Sequence, residues 1–183
     1  MCGIAGFVGK EKNMKKTLKN MTDRIKHRGP DAEGFFVRGN VALGQRRLSI
    51  IDISGGKQPM FSKDENLVVV FNGEIYNYKE LKSELKDYPW QTNSDTEVLL
   101  AGYEKWGRDL PKHLRGMFAF ALYDIKNKTL FCARDPFGIK PFYYYQNDGT
   151  FLFASEIKAF LDHPKSEKKF NESILSAYLS FSF

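Results

Sequence analysis

The alternation of apolar and polar positions predicts a domain built mainly of strands. Residues 4–8 form a short apolar run almost at the N-terminus, and residues 67–71 are apolar throughout, which is typical of a strand buried on both faces. Gly39-Asn40 separates two short runs and suits a two-residue hairpin turn. The remaining strands are predicted over residues 35–38, 41–45, 118–123, 130–134, 142–146 and 151–154.

Helical periodicity appears in separate parts of the chain. Four apolar residues recur at spacings of four, three and four and predict an amphipathic helix; they are Met14, Leu18, Met21 and Ile25. Ser94 or Asp95 is placed to cap the start of a later helix. The later helices are predicted over residues 79–86, 96–105, 156–161 and 172–179. Hairpins combined with paired helices favour a layered α+β fold with helices packed on antiparallel sheets.

Composition narrows the class of protein. A chain of 183 residues with 42% hydrophobic positions is long enough for one domain with a substantial core. No apolar run approaches the roughly 20 residues that cross a bilayer, and no secretory signal opens the chain. The net charge of +6 comes from basic residues interspersed with acidic ones, without the signature of a nucleic-acid-binding module. We therefore expect a soluble, cytoplasmic protein that binds neither membrane nor nucleic acid.

The sequence predicts different roles for the two cysteines. Cys2 and Cys132 lie too far apart in the chain to form a metal site by spacing. Removal of Met1 would leave Cys2 with a thiol and a free α-amine, whose ordinary pKa values are about 8.5 and about 7.7–8. Such an amine is partly neutral near pH 7 and can act as the base that activates the thiol. Cys2 is therefore a candidate nucleophile, although a second-position cysteine alone is also compatible with coincidence. Cys132 lies in an apolar run and is expected to be a small buried core residue.

Polar motifs occur where predicted strands end or predicted helices begin, and a rigid scaffold positions side chains at such places. The segments are HRGPD at 27–31, RRLSIIDISGGKQP at 46–59, FNGEIYN at 71–77 and NSDTE at 93–97. Further segments are MCGIAGFV at the start, GMFAFALYD at 116–124 and ARDPFGIKPFYY at 133–144. With these segments the sequence resembles the class II glutamine amidotransferases from end to end. Within that family it is most similar to the glutaminase domain of glutamine-hydrolysing asparagine synthetases.

The resemblance implies a fold and a reaction. The fold would be that of the N-terminal-nucleophile hydrolases, a four-layer αββα sandwich of two antiparallel sheets with helices on the outer faces. Cys2 would attack the side-chain amide of L-glutamine, forming a thioester with release of ammonia, and water would then release glutamate. The side-chain nitrogen of Asn72 and the backbone N–H of Gly73 would form the oxyanion hole, where glycine allows close approach of the substrate.

The resemblance also assigns the substrate-binding residues. Arg47 would bind the α-carboxylate of glutamine, because a planar guanidinium suits a planar anion. Asp95 and Glu74 would receive the α-ammonium. The backbone of four residues would line the pocket, namely Leu48, Ser49, Ile50 and Ile51.

The residues alone leave alternatives open for several of these assignments. Asn72-Gly73 is also a common turn pair, and Asp95 could serve only as a helix cap. The adjacent pair Arg46-Arg47 would ordinarily lie on the surface, although the family motif puts Arg47 at the pocket and Arg46 outside it. His27 could act as a base for the thiol, but a structural role is favoured because the N-terminal amine already accepts the proton. Residues 134–138 are interpreted as a polar turn without a catalytic role.

The resemblance further implies how the domain is used. Residues 1–183 would form a single glutaminase domain, with an apolar tail from about residue 165 leading to a C-terminal synthetase domain. No cofactor or metal is expected for the glutaminase domain, because ATP and Mg²⁺ would belong to the synthetase domain. Ser54-Gly55-Gly56 is not interpreted as a phosphate loop, since Pro59 interrupts a helix start there.

The expected partners are L-glutamine and the synthetase domain, with a homodimer as an open alternative. Three other functions stay open at this point. The first is an amidotransferase that aminates another acceptor, such as a sugar or antibiotic precursor. The second is a non-catalytic glutamine-binding regulator, and the third is a nucleic-acid binder, which rests on the pI of about 9.2 alone.

Overall fold

Two antiparallel sheets form the centre of the fold in the computed structural model, which describes residues 2–48, 56–169 and 172–181. The strands are β1 (Gly3–Val8), β2 (Ala32–Arg38), β3 (Val41–Arg47), β4 (Met60–Phe61), β5 (Leu67–Ile75), β6 (Gly116–Asp124), β7 (Thr129–Arg134), β8 (Tyr143–Asn147) and β9 (Thr150–Ala154). The α-helices are α1 (Met14–Asp23), α2 (Tyr78–Glu84), α3 (Thr96–Trp106) and α4 (Leu175–Phe181). Shorter 3₁₀ helices cover Lys26–Arg28, Gly107–His113, Ile157–Asp162 and Glu172–Ile174.

The order of the strands places the N-terminal strand inside a sheet. The first sheet has the order β2-β3-β1-β9-β8, and the second has the order β4-β5-β6-β7. All strand pairings among the described residues are antiparallel. The two-residue hairpin predicted at Gly39-Asn40 is confirmed, because Arg38 pairs with Val41 and Gly39 has a φ of +59°.

The core has three apolar layers, and β5 contributes to two of them. Val68 and Val70 pack between the sheets, in the cluster that also contains Ile4 of β1. The alternate residues of β5 pack on the opposite face against α3, because successive side chains of a strand point to opposite faces. These residues are Leu67, Val69 and Phe71. The expectation of a strand buried on both faces is confirmed.

The helices cover the outer faces of the sheets. Leu18 and Met21 of α1 are fully buried against the first sheet. Gly44 of β3 permits this close approach, since a Cβ at that position would lie 2.7 Å from the Cγ2 atom of Thr22. The α+β sandwich of layers α, β, β and α is therefore confirmed. None of the described helices is long and apolar enough to span a membrane.

Several sequence-based boundaries are corrected by the structure. Strand β5 continues to Ile75 because Asn72 pairs with Ala119 and Gly73 pairs with Phe118 of β6, so the alternative of a turn at Asn72-Gly73 is wrong. The helix predicted over residues 14–25 ends at Asp23, and the one predicted over 156–161 is a 3₁₀ helix. Strand β4 was not predicted, because two residues are too few to show alternation.

A rigid loop follows β7 and is organised by Asp135. The buried Asp135 carboxylate accepts hydrogen bonds from the backbone N–H groups of Phe118 at 3.3 Å, Ile139 at 2.9 Å and Lys140 at 3.0 Å. The Nε atom of Arg134 donates to the Lys140 carbonyl at 2.6 Å. Burial by itself would raise the pKa of Asp135, but the three N–H donors outweigh it and hold that pKa below its ordinary value. The segment interpreted as a plain polar turn therefore fixes the position of Lys140.

We expect Asp135→Asn to lower the free energy of unfolding by about 1–3 kcal/mol, because a neutral amide cannot accept three N–H bonds as strongly as a carboxylate. Since the folded pKa lies below the unfolded value of 3.8, the unfolded chain binds more protons at acid pH. The contribution of Asp135 is thus present above about pH 3.8 and is lost as the pH falls through the folded pKa. Urea unfolding of both proteins at neutral and acid pH measures both effects.

Asp148→Asn is the matched control for this substitution. The exposed Asp148 carboxylate pairs with the Nζ atom of Lys165 at 3.0 Å on the surface, and such a pair contributes about 0–1 kcal/mol. Equal losses of stability in the two variants would contradict the role assigned to Asp135.

Candidate active site

A cavity of about 170 Å³ opens beside Cys2 and takes its walls from both sheets. The first sheet and its continuation contribute Cys2, Gln45, Arg47 and Leu48. The second sheet contributes Phe71, Asn72, Gly73, Glu74 and Met117, and the start of α3 contributes Ser94, Asp95 and Thr96. The loop residues Gly56, Gln58 and Lys140 complete the described lining.

The structure brings together all the described residues that the sequence assigned to the site. These are Cys2, Arg47, Leu48, Asn72, Gly73, Glu74 and Asp95. The other three assigned residues, Ser49, Ile50 and Ile51, lie outside the described residues. Their predicted backbone role stays a prediction.

Cys2 lies just before β1, at the end of the first sheet that faces the cavity. Its Sγ atom is 3.4 Å from the backbone nitrogen of Leu48 and 3.5 Å from the Leu48 carbonyl oxygen. The side chain of Cys2 is partly buried and lines the cavity. Leu48 therefore contacts the thiol directly, and a backbone N–H can donate to the sulfur there.

The edge of β5 that faces away from β6 presents a row of backbone groups to the cavity. Phe118 of β6 exchanges hydrogen bonds with Asp135 on its β7 side, so its partner Gly73 belongs to a non-hydrogen-bonded pair. The N–H of Gly73 accordingly points away from β6, as do those of Phe71 and Ile75, since direction repeats every two residues. The Phe71 N–H donates to the Gln58 side chain at 2.7 Å, and the Ile75 N–H donates to Asp95 at 3.0 Å. The Gly73 N–H lies between these two, directed into the cavity.

Asn72 carries a donor that its surroundings do not satisfy. Its side chain is only 1% exposed, and its Nδ2 atom has no hydrogen-bond partner among the described residues. A buried donor without a partner costs about 1–3 kcal/mol, and of the four buried side-chain nitrogens without a partner among the described residues only that of Asn72 belongs to a residue of the cavity lining. The donor belongs to a residue that lines the cavity with Cys2.

Gly73 is required by the neighbouring strand as well as by the cavity. A Cβ atom at this position would lie 2.2 Å from the Met117 carbonyl oxygen and 2.7 Å from the Cα of Phe118. Those are backbone atoms of β6, which cannot move aside without breaking the pairing. The sequence argument for glycine considered only the approach of substrate and missed this second constraint.

The adjacent arginines of β3 point in opposite directions, as neighbours in a strand do. Arg47 is buried and lines the cavity. Arg46 is also buried, on the other face, where it pairs with Asp23 and Glu33. Arg46 thus lies outside the cavity as expected. The alternative that both arginines lie on the surface is wrong, because both are buried.

Asp95 occupies the position before α3 without capping the helix through its side chain. Its Oδ2 atom instead accepts the Ile75 N–H, while the Ser94 hydroxyl accepts the Thr96 N–H at 3.2 Å. The alternative in which Asp95 only caps the helix is therefore wrong. Burial raises the pKa of Asp95 and the negative charge of Glu74 adds to this, so a cation bound beside it would relieve both effects.

Lys140 and Gln58 line the cavity but were not assigned by sequence. Lys140 is 5% exposed and reaches the cavity from the loop that Asp135 organises. Gln58 joins β5 to α3, because its Oε1 accepts the Phe71 N–H and its Nε2 donates to the Thr96 hydroxyl at 3.3 Å. Both residues lie inside the segments that carry the family resemblance, Gln58 in 46–59 and Lys140 in 133–144. The sequence motifs therefore included them, but gave no reason to assign either residue to the site.

His27 and Cys132 lie elsewhere. The Nε2 atom of His27 is 2.8 Å from the Glu156 carboxylate, and His27 does not line the cavity, which supports a structural role. Cys132 lies in β7 and packs partly buried against the layer between the sheets. Burial raises the pKa of its thiol to about 12, so it is almost entirely protonated at neutral pH. Within residues 2–48, 56–169 and 172–181, no group of three His, Cys, Asp or Glu side chains is arranged to hold a metal ion.

Relatives of known name match most of this chain. Asparagine synthetase (glutamine-hydrolysing) 3 of Bacillus subtilis is 43% identical over 183 residues, covering 96% of this chain and 30% of that protein. The corresponding protein of Zea mays is 42% identical over 166 residues, covering 88% of this chain and 28% of the relative. The chain therefore spans about a third or less of the length of these relatives.

Solved structures with similar folds are more distant in sequence. A glutamine phosphoribosylpyrophosphate amidotransferase from B. subtilis, complexed with ADP and GMP, has a TM-score of 0.72 at 24% identity, covering 87% of this chain and 43% of its own. A structure described as the allosteric regulatory enzyme of purine biosynthesis has a TM-score of 0.74 at 23% identity, covering 88% of this chain and 43% of its own. These similarities establish the fold alone.

A protein-family model assigns the chain to a family. The model described as glutamine amidotransferase domain matches residues 1–183. It extends over every element of the two sheets and over all the residues that surround the cavity. The chain therefore belongs to the glutamine amidotransferase domain family.

Proposed function

We propose that this domain hydrolyses the side-chain amide of L-glutamine, with Cys2 as the nucleophile. The observation that carries the proposal is the cavity that Cys2 lines together with Asn72, whose buried Nδ2 donor has no partner among the described residues. A thiol opposite preorganised donors is the arrangement that acyl transfer requires. The cavity lining contains both basic and acidic side chains. This supports a free amino acid as the substrate, because such a molecule carries one cationic and one anionic group.

The reaction begins once Met1 has been removed from Cys2. The free α-amine takes the proton of the thiol, and the sulfur attacks the amide carbon of glutamine. As the C–S bond forms, the amide oxygen gains a negative charge. The proton then passes to the departing nitrogen, the C–N bond breaks, and ammonia leaves behind a thioester on Cys2. Attack by water on the thioester releases glutamate and returns the proton to the thiol.

The negative oxygen would be held by Asn72 Nδ2 and the Gly73 N–H. The support for this role is that the Asn72 donor has no other partner among the described residues and that the alternation of β5 directs the Gly73 N–H away from β6. Donors that need no reorganisation stabilise the transition state more than the ground state. The free energy that Asn72 costs in the folded protein would thus be recovered during the reaction.

Substrate recognition would use the two ends of the amino acid. Arg47 would bind the α-carboxylate, and Asp95 with Glu74 would bind the α-ammonium. The raised pKa of Asp95 supports this role, since a buried carboxylate gains more from a cation than an exposed one does. The backbone of Leu48, Ser49, Ile50 and Ile51 would complete the pocket.

We further propose that the ammonia is used by an asparagine-synthetase-type domain in a longer protein. The support is that the relatives are named glutamine-hydrolysing asparagine synthetases and are about three times as long as this chain. Residues from about 165 would lead to that domain, which would hold ATP and Mg²⁺ and act on aspartate, whereas the hydrolysis would need no cofactor or metal. Cys2 and Cys132 are free thiols, which supports a location in the reducing cytoplasm. The homodimer stays a prediction.

The test of the nucleophile is glutamate release by the purified chain with Met1 removed. We expect Cys2→Ala to abolish release from L-glutamine, because no other group would form the thioester. Cys132→Ala should keep wild-type turnover, since its thiol lies in β7 away from the cavity. Intact-mass measurement verifies that Met1 is absent. Undiminished turnover by Cys2→Ala would rule out the proposed mechanism.

Asn72→Leu tests the oxyanion hole by separating activity from stability. We expect kcat to fall about 100- to 1000-fold, the usual effect of losing one such donor. The free energy of unfolding should be unchanged or higher, because the substitution removes a buried donor that has no partner. Steady-state kinetics and urea unfolding measure the two effects.

Asn77→Leu is the matched control and should behave in the opposite way. The buried Asn77 donates to the His113 carbonyl at 3.0 Å and accepts the Arg115 N–H at 2.9 Å, so its loss leaves two groups unpaired. We expect a loss of stability of about 1–3 kcal/mol per unpaired group with kcat nearly unchanged. If Asn72→Leu destabilised the protein as much as Asn77→Leu does, the interpretation of Asn72 as an unused donor would be wrong.

A further inference from the structure

We propose that Glu156 is a positioning residue that holds Cys2 in place through Arg28. The inference rests on the proposed role of Cys2 as nucleophile, and it adds a residue that lies outside the cavity. The observations that carry it are the hydrogen bonds that join Glu156 to Arg28 and Arg28 to the backbone of Cys2.

The sheet leaves Cys2 less firmly held than the residues that follow it. Pairing of β1 with β3 begins at Gly3, opposite Arg46, and pairing with β9 begins at Ala5, opposite Ala154. Ser155 extends the hold by one residue, because its hydroxyl accepts the Ile4 N–H at 3.0 Å and its N–H donates to the Ile4 carbonyl at 2.8 Å. Cys2 itself lies beyond these paired residues.

Arg28 supplies a contact to the backbone of Cys2. Its Nε atom donates to the Cys2 carbonyl oxygen at 3.0 Å, and its side chain is only 11% exposed. The bond orients the peptide plane that carries the Cα of Cys2, from which both the thiol and the α-amine extend. A nucleophile misplaced by about 1 Å can lose about 100-fold in rate, so this orientation matters to the reaction.

Glu156 in turn fixes the guanidinium of Arg28. The Nη1 atom of Arg28 lies 3.1 Å from the Oε1 of Glu156. Because the guanidinium is planar and rigid, a hydrogen bond at Nη1 also restricts the position of the Nε atom that contacts Cys2. Without the carboxylate, the long side chain of Arg28 would regain rotamer freedom and the bond to Cys2 would loosen.

The surroundings of Glu156 keep it charged for this task. Besides Arg28, its carboxylate contacts the Nε2 of His27 at 2.8 Å and the Nζ of Lys158 at 2.9 Å. Partial burial alone would raise the pKa of Glu156, but the bonds to Lys158, Arg28 and His27 outweigh it and lower that pKa to about 2. Glu156 is therefore an anion throughout the pH range in which a thiol nucleophile would work.

Glu156→Gln tests the inference, because it keeps the shape of the side chain and removes the charge. We expect kcat for glutamate release to fall about 10- to 100-fold with KM within twofold of wild type. KM should hold because Glu156 does not line the cavity. A merely structural role would lower thermal stability without this division between kcat and KM. If the Gln variant does not fold, Glu156→Asp carries the test, with a reduced kcat and unchanged KM expected.

Asp162→Asn is the matched control. The Asp162 carboxylate binds the Nε and Nη2 atoms of Arg24 at 2.7 and 3.0 Å, a similar pair between the same two parts of the chain but without a contact to Cys2. Its kcat should equal that of wild type. Wild-type kcat in the folded Glu156 variant, or an equal loss of kcat in Asp162→Asn, would overturn the inference.

Cys2→Ala in the same assay separates this inference from the proposed function. If glutamate release depends on Cys2 but not on Glu156, only the positioning role fails. If release does not depend on Cys2, the proposed function itself fails and the inference fails with it.

Discussion

The packing of β1 against β5 across the layer between the sheets is the constraint on which the site depends. Ile4 of β1 and Val68 and Val70 of β5 belong to the same buried cluster, and burial of apolar surface is the dominant force that holds two sheets together. The strands belong to different sheets and are far apart in the chain. Because Cys2 directly precedes β1 and Asn72 follows Val70 by two residues, this packing brings both to the same cavity.

The second requirement is an edge of β5 that is neither fully paired nor exposed to water. The partner β4 covers only Val68 and Val69, so the backbone beyond them needs other hydrogen-bond partners. Side chains from two other parts of the chain satisfy its neighbours, Gln58 at Phe71 and Asp95 at Ile75. The N–H of Gly73 between them is left directed at the cavity, as the proposed oxyanion hole requires.

The balance of charge around the cavity suits a zwitterion. Arg47 and Lys140 contribute positive charge, and Glu74 and Asp95 contribute negative charge, all from positions on the cavity wall. Three of these four, Arg47, Glu74 and Asp95, had been assigned to the two ends of the substrate by the family resemblance. Lys140 was not assigned, because its place depends on the Asp135 loop, whose hydrogen bonds cannot be read from residue spacing.

The sequence by itself determined the strands with clear alternation, the main helices and, through its motifs, the residues that gather around Cys2. Apolar periodicity is a local property, so it identified the amphipathic helix α1 and the doubly buried part of β5. It could not show that β5 continues through Asn72 and Gly73, since polar residues extend a strand only when a partner such as β6 is present. Nor could it show that Arg46 and Arg47 are both buried, because their partners lie far away in the chain. Only the tertiary structure showed that the buried Nδ2 donor of Asn72 has no partner among the described residues and that Arg28 contacts the backbone of Cys2, since hydrogen bonds between distant residues exist only once the two sheets have packed.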